Sequence, residues 1–414
     1  MNRTIETNQP ITPTETAPSS WPLWGALRYA RLNRQEIAGS LGDLGTFLPL
    51  LVGMSAQNGL DFASALFFAG LFNVLTGLTF TIPMAVQPMK AIAAVALTEG
   101  LTVPQILAAG ATVSFVILLL GLSGWIEWLN RLVPKSVVRG LQLALGLSLL
   151  LKGIGMVSGS GWAGSMDGWL VGIVACCFAL ILIHSRVLPA ALFLFGLGLV
   201  LTLISRPDLV RSLGLSGSLP RWSPPAWQDF VTAFPKAALP QIPLTALNSV
   251  LAVCVLAADL FPDRPISMRK VAVSVGLMNL VACWFGGMPM CHGAGGLAGQ
   301  YRFGARTNGS ILFLGAVKLV LAVAFGSSLM ALCQAFPQSV LGVMLAFAGA
   351  ELALVFRDQT QRVNAFIMLI TAAVCLALNV AVGLIVGLLL AAGWRLGLFP
   401  IEHDPSEQNR GGRI

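Results

Sequence analysis

Apolar runs of about twenty residues recur along this 414-residue chain from Gly39 to Phe399, and charge breaks few of them. A helix of that length spans the roughly 30 Å of hydrocarbon in a bilayer, so the chain reads as an all-α polytopic membrane protein. Only 10% of residues are charged and 56% are hydrophobic, whereas soluble domains carry roughly a quarter charged residues. A β-barrel does not fit, because the runs are continuous and lack the alternation of ten-residue barrel strands. A net charge of +8 would suggest nucleic acid in a soluble protein. Here it belongs to cytoplasmic loops that follow the positive-inside rule, and no nucleic-acid partner is expected.

The runs place full spans near 36–56, 63–82, 103–127, 133–153, 168–184 and 187–205, then near 239–260, 268–286, 308–330, 336–355, 360–377 and 379–398. Two further helical segments, near 87–98 and 292–302, are too short to cross alone. The expected organisation is about fourteen segments in two sevens, 36–205 and 239–398, joined by a polar, Pro-rich linker at 206–238. Residues 1–35 are read as a disordered cytoplasmic leader without the apolar core of a cleaved signal peptide, and 399–414 as a short cytoplasmic tail. Basic residues orient the chain in a cell (inner) membrane with both termini inside: Arg28, Arg31 and Arg34, then Arg131, Lys135 and Arg139, Arg186, Arg264, Arg269 and Lys270, Arg302 and Arg306, and Arg357 and Arg362. The outer loops SAQNGLD and SGSGWAGSMDG contain none. The linker, with Arg206, Arg211, Arg221 and Lys236, is the exception, and long translocated loops often escape the rule.

The two sevens resemble each other. LVPKSVVRGLQLALG matches AFPQSVLGVMLAFAG, with Pro134 opposite Pro337 and Ser136 opposite Ser339, an offset of 337 − 134 = 203. IPMAVQPMKAIAAVA matches MPMCHGAGGLAGQYR, with Pro83 opposite Pro289, an offset of 289 − 83 = 206. An odd number of segments per repeat inverts the second repeat, the hallmark of secondary transporters whose site lies at the midplane between repeats.

The short segments are where that site is expected. Irregular backbone in a bilayer survives only where protein or a polar cavity satisfies it. TIPMAVQPMK and GGMPMCHGAGG each read as an extended strand turning into a half-helix, with Pro88 suited to the first helical position and Gly293, Gly295 and Gly296 freeing the backbone for close approach to a ligand. Two half-helices meeting N-terminus to N-terminus aim unpaired N–H groups and positive dipole ends at one point, an anion site. Lys90 could add charge there, and Gln87 and His292 hydrogen bonds. GSLGDLGTFLPLL places Asp43 near mid-membrane, where a carboxylate is costly and usually functional. It is a candidate to carry a coupling proton, the alternative being a helix-break cap on Thr46 or a backbone N–H. At an offset of 205, Asn248 falls opposite Asp43. Thr46, Thr245, Asn248 and Ser249 are candidate cavity-lining residues.

The seven cysteines lie in or beside apolar runs without CxxC spacing, so neither a disulfide framework nor a metal or other cofactor is expected. Lys318 and Glu351 are read as a structural pair, Asp259 as interfacial, and Arg302 and Arg306 as cytoplasmic anchors.

GDLGTFLPL, PMAVQPMKAIAAVAL, LPQIPLTALNSVLAVC and PMCHGAGGLAGQYRFG together resemble the molybdate transporter branch related to the sulfate permease (SulP) family, over nearly the whole membrane region. The resemblance implies a seven-plus-seven inverted-repeat fold, a core domain moving against a gate domain, no STAS domain, and proton-coupled uptake of molybdate, with sulfate as the alternative. A nucleobase or other small-solute carrier on the same fold is a rival, as are channel-like conduction and, more remotely, a hydrolase using Cys291 and His292. The sequence leaves the oligomeric state open, a homodimer included.

Overall fold

The computed structural model describes residues 26–398, apart from 127, 129–132, 162–165, 186–187, 213 and 215–218. Most of the expected leader, the tail from 399, Arg131 and Arg186 therefore fall outside the described residues. The last ten residues assigned to the leader are structured: Ala26–Tyr29 forms a 3-10 turn, and the Ala26 carbonyl accepts from Asn308 Nδ2 at 3.0 Å.

In the first half the helices are α1 (Arg34–Asn58), α2 (Phe62–Thr79), α3 (Lys90–Glu99), α4 (Val103–Ser123), α5 (Lys135–Gly159), α6 (Trp169–Leu182) and α7 (Ala190–Ser205). In the second they are α8 (Trp227–Leu260), α9 (Met268–Ala282), α10 (Ala294–Arg302), α11 (Gly309–Gln334), α12 (Gln338–Asp358), α13 (Arg362–Ala377) and α14 (Val380–Arg395). Strands β1 (Gln87–Pro88) and β2 (Met290–Cys291) precede α3 and α10. Seven helices, α1, α2, α4, α5, α8, α11 and α12, are long and apolar enough to cross a bilayer, and α6, α7, α13 and α14 are shorter apolar helices. With α9 and the two half-helices, the arrangement fits fourteen segments.

Helix starts follow local chemistry. Asp61 accepts the Ser64 N–H at the start of α2, Ser267 the Lys270 N–H at α9 and Asn379 the Val382 N–H at α14. Thr102 and Gln105 form a reciprocal capping box at α4, all satisfying N–H groups that a helix leaves orphaned. The helix α8 begins well before the expected span at 239. Pro235, Pro240 and Pro243 each remove a backbone donor, and the helix accommodates them by widening into two π-helical stretches, Phe234–Ala238 and Thr245–Leu251.

The halves correspond element by element. Phe62 and Met268 begin α2 and α9 at an offset of 268 − 62 = 206, and Lys135 and Gln338 begin α5 and α12 at 338 − 135 = 203. Packing is reciprocal as well: α2 lies along α11, α4 along α9, and α5 along its own counterpart α12. These contacts sort most helices into two sets, one holding α2, α4, α9 and α11 and the other α5, α12, α13 and α14.

Small residues set the closest crossings. A Cβ on Gly349 would stand 2.5 Å from the Gly146 carbonyl oxygen, and one on Gly146 would stand 2.6 Å from the Gly349 carbonyl oxygen. In lipid, backbones held this close are a main source of helix association. Gly146→Leu should lower the melting temperature of the purified protein through overpacking of about 1–3 kcal/mol or more. Gly155→Ala, where an added Cβ meets nothing within 4 Å, should leave it nearly unchanged.

Candidate anion-binding site

Strands β1 and β2 pair antiparallel, Gln87 opposite Cys291 and Pro88 opposite Met290. The Met89 N–H donates to the Pro289 carbonyl at 2.9 Å. Each strand runs into a half-helix, so the N-termini of α3 and α10 meet across the pair. Pro88 therefore sits in a strand rather than at the first helical position. The helix α3 starts two residues later, after Met89 in extended conformation. Proline has no N–H to lose in such a short ladder.

Two buried side chains clamp the crossing. Asn279 on α9 donates to the Met290 carbonyl and accepts the Met290 N–H, both at 2.6 Å. The His292 ring places Nδ1 3.0 Å from the Ala85 carbonyl and Nε2 2.9 Å from Ser274 Oγ, with no solvent exposure. Both nitrogens are thus engaged in joining β2 to the chain before β1 and to α9, which takes His292 out of the expected set of anion donors.

The two half-helix starts are not equivalent. Gln241 on α8 accepts the N–H groups of Ala91 and Ile92 through Oε1, at 2.8 and 3.3 Å, and donates to Thr245 Oγ1 at 2.8 Å. At α3 that leaves the Lys90 N–H alone without an acceptor among the described residues. At α10, the amides of Ala294 and Gly295 have no acceptor among the described residues. Gly295 is exposed, and Lys90 Nζ lies 3.7 Å from where its Cβ would be. The start of α10 thus brings two unpaired amides together with Lys90, half-buried at the start of α3.

The glycines divide by task. A Cβ on Gly293 would collide with Gln87 Oε1, and one on Gly296 would stand 2.6 Å from Gln87 Nε2 and 2.5 Å from Ala85 Cβ. These two glycines admit the Gln87 side chain, not a ligand, while a Cβ on Gly295 would meet Lys90 Nζ at an ordinary contact distance of 3.7 Å. Thr46 and Asn248 are half-buried on α1 and α8. Ser249 is buried and donates to Cys291 Sγ at 3.1 Å, a strut to β2 rather than a lining group.

Asp43 ends a 3-10 turn, Leu41–Asp43, inside α1. It is fully buried and makes no capping hydrogen bond, so the cap alternative drops out. Gly42 beside it meets α10 backbone to backbone: a Cβ on Gly299 would be 2.7 Å from the Gly42 oxygen. The counter-ion of Asp43 is Lys318 on α11, with Nζ 3.9 Å from Oδ2, and Gln87 and Lys90 also face it. The expected Lys318–Glu351 pair is corrected accordingly. Lys318 donates to Asn73 Oδ1 at 2.9 Å and lies over the Phe47 ring, while Glu351 is exposed on α12. Asp259 is exposed at the end of α8. Arg306 stacks 3.5 Å over the Tyr301 ring.

Two inverted strand-and-half-helix units crossing inside an apolar helical bundle define the fold of the SLC26-type anion transporters. Solved neighbours carry the same fold. One is murine Slc26a9, an anion transporter in the inward-facing state, with TM-score 0.68 and 12% identity over 96% of this chain and 77% of that one. Another is the transmembrane domain of the cyanobacterium bicarbonate transporter BicA, with TM-score 0.62 and 18% identity over 86% of this chain and 97% of that one.

Within this fold the chain belongs to the molybdate transporter family. The family described as "Molybdate transporter of MFS superfamily" matches residues 35–149 and 233–352. Molybdate transporter 2 of Arabidopsis thaliana is 40% identical, with 93% of each chain covered. Molybdate transporter 1 of Chlamydomonas reinhardtii is 37% identical over 87% of this chain and 91% of its own. The superfamily in that description has halves of six spans; the half-helix crossing and the solved neighbours place the fold with SLC26 instead. The relatives are transporters, not enzymes, and Cys291 and His292 face different partners, as no nucleophile–base pair does.

Gly293→Ala and Gly296→Ala should each displace Gln87 and lower the melting temperature of purified protein by several degrees. Gly295→Ala should melt with the wild type. Equal stability of all three variants would contradict the assignment of the glycines.

Proposed function

We propose that the protein is a secondary transporter that imports molybdate by alternating access, driven by protons. The observation that carries this reading is the pair of unpaired amides at the start of α10 beside Lys90. Uncompensated N–H donors and an ammonium at one midplane point suit a tetrahedral dianion. Among the described residues no arginine fork stands there, which suits a ligand that must also leave. Sulfate offers the same shape and charge, so donor chemistry alone separates the two only by size and hydration. The naming of the relatives as molybdate transporters favours molybdate. A nucleobase is disfavoured, because carboxylates would be expected opposite its N–H groups and α8 offers Asn248 there.

Residues of the first half hold the start of α12, where the halves would have to part in alternating access. Gln57 at the end of α1 donates to Gln338 at the start of α12 at 2.6 Å, a single exposed bond between segments from different halves. Asp167 caps the same helix start, accepting the N–H groups of Gln338 and Ser339 at 2.8 Å each. Basic groups support a cytoplasmic face at the ends of α2 and α10. Arg264 donates to the Thr81 and Arg306 carbonyls, and Lys270 to the Thr79 carbonyl. Asp43 is the proposed carrier of the coupling proton.

Protein reconstituted in liposomes should accumulate labelled molybdate under an inward proton gradient, with sulfate competing only at higher concentration. Uptake of nucleobase without uptake of either oxyanion would refute the reading.

A further inference from the structure

The cluster around Asp43 is chemically incomplete. Both oxygens of Asp43, Nδ2 of Asn73 and Oε1 of Gln87 are buried without a hydrogen-bond partner. Buried polar groups are ordinarily satisfied, and each exception calls for an explanation. The Lys318–Asp43 distance of 3.9 Å is longer than the 2.7–2.9 Å of a charge-assisted hydrogen bond. The same residue types do reach contact elsewhere in this protein, at 2.8 Å between Lys135 and Asp358. Neither the Lys318 ammonium nor the unpartnered Asn73 amide is hydrogen-bonded to Asp43, so the carboxylate is held loosely enough to gain a proton, and the Gln87 side chain faces it. Gln87 in turn packs on Gly293 and Gly296, the first turn of α10, where the unpaired amides are.

We propose that Lys318 is the positioning residue of proton coupling, a built-in counter-ion that keeps Asp43 charged in the empty protein and so able to take up a proton when the anion arrives. The inference rests on the proposed anion site and on Asp43 as its proton carrier. The groups that face Asp43 are Lys318 from α11, Lys90 from α3 and the neutral amide of Gln87; Glu351 acts on Lys90 and is exposed. With Asp43 ionised, the two lysines and the carboxylate carry one net positive charge. A bound dianion turns that into one net negative charge, and a single proton on Asp43 restores neutrality. In a buried site uncompensated charge is costly, so anion and proton bind together.

Removing Lys318 breaks this balance. A charged Asp43 would be left as a buried carboxylate without an ion-pair partner within 4 Å; Lys90, half-buried at the start of α3, is engaged by the anion in the proposed site, so the carboxyl is neutral before the anion arrives and has no proton to gain. Lys318→Met should therefore behave as Asp43→Asn does.

The test uses full-length protein and three readouts: labelled-molybdate exchange in liposomes, proton uptake on molybdate addition followed with a pH-indicator dye, and accumulation under a proton gradient. Wild type should show all three. Lys318→Met should retain exchange, lose proton uptake and accumulate at least tenfold less, and adding Asp43→Asn should cost nothing further. Lys318→Gln, which keeps a donor for Asn73 but removes the charge, carries the same test if the Met variant does not fold. Wild-type proton uptake and accumulation in a variant lacking the charge overturn the inference alone, as does accumulation regained in the doubly neutral Asp43→Asn/Lys318→Met protein. Wild-type protein that neither binds nor exchanges molybdate overturns the functional reading together with it.

Discussion

The antiparallel pairing of β1 with β2 is the contact on which the rest depends. Non-helical backbone at membrane depth costs several kcal/mol for each unsatisfied group, and neither strand could remain extended there alone. Each satisfies the other through the ladder and the Met89–Pro289 hydrogen bond, and Asn279 takes up the remaining groups of Met290. Because the partners come from opposite halves of the chain, two inverted halves must fold together before either half-helix is placed.

Once the strands cross, the polarity of the site follows from which amides remain unpaired. Gln241 takes up the Ala91 and Ile92 amides of α3, so the pseudo-symmetric crossing becomes asymmetric. One half-helix is closed by a side chain and the other stays open beside Lys90. The open half-helix is backed by Gln87, and behind Gln87 lies the Asp43–Lys318 pair. The proposed ligand site and the buried ions are thus joined by one amide side chain, with charged groups divided between a half-exposed lysine and a sealed pair.

Much of the fold was legible in sequence because lipid imposes length and continuity on every span, and most helix ends fall within a few residues of the apolar runs. The half-helices were legible from glycine, proline and an offset shared by two pairs of segments. Pro88 was misplaced because its preference for a helix start yields to pairing with Met290, a partner two hundred residues away. The early start of α8 escaped because prolines read as linker, while π-widening absorbs them. Asn279 and Asn73 lie in none of the quoted motifs, and Gln241, although inside LPQIPLTALNSVLAVC, has no local feature that singles it out; their importance lies in contacts across the chain. Gly293 and Gly296 were recognised as sites of close approach, but composition does not say whether a ligand or the Gln87 side chain does the approaching.

The central claim is that the start of α10, with Lys90, holds the oxyanion. Molybdenum is itself the probe. In crystals of the protein soaked with molybdate, anomalous scattering at the molybdenum edge locates the bound atom. A peak placed so that the anion's oxygens reach the amides of Ala294 and Gly295 and the Lys90 ammonium is the expected result. A peak at the start of α3, or away from the strand crossing altogether, would contradict the account.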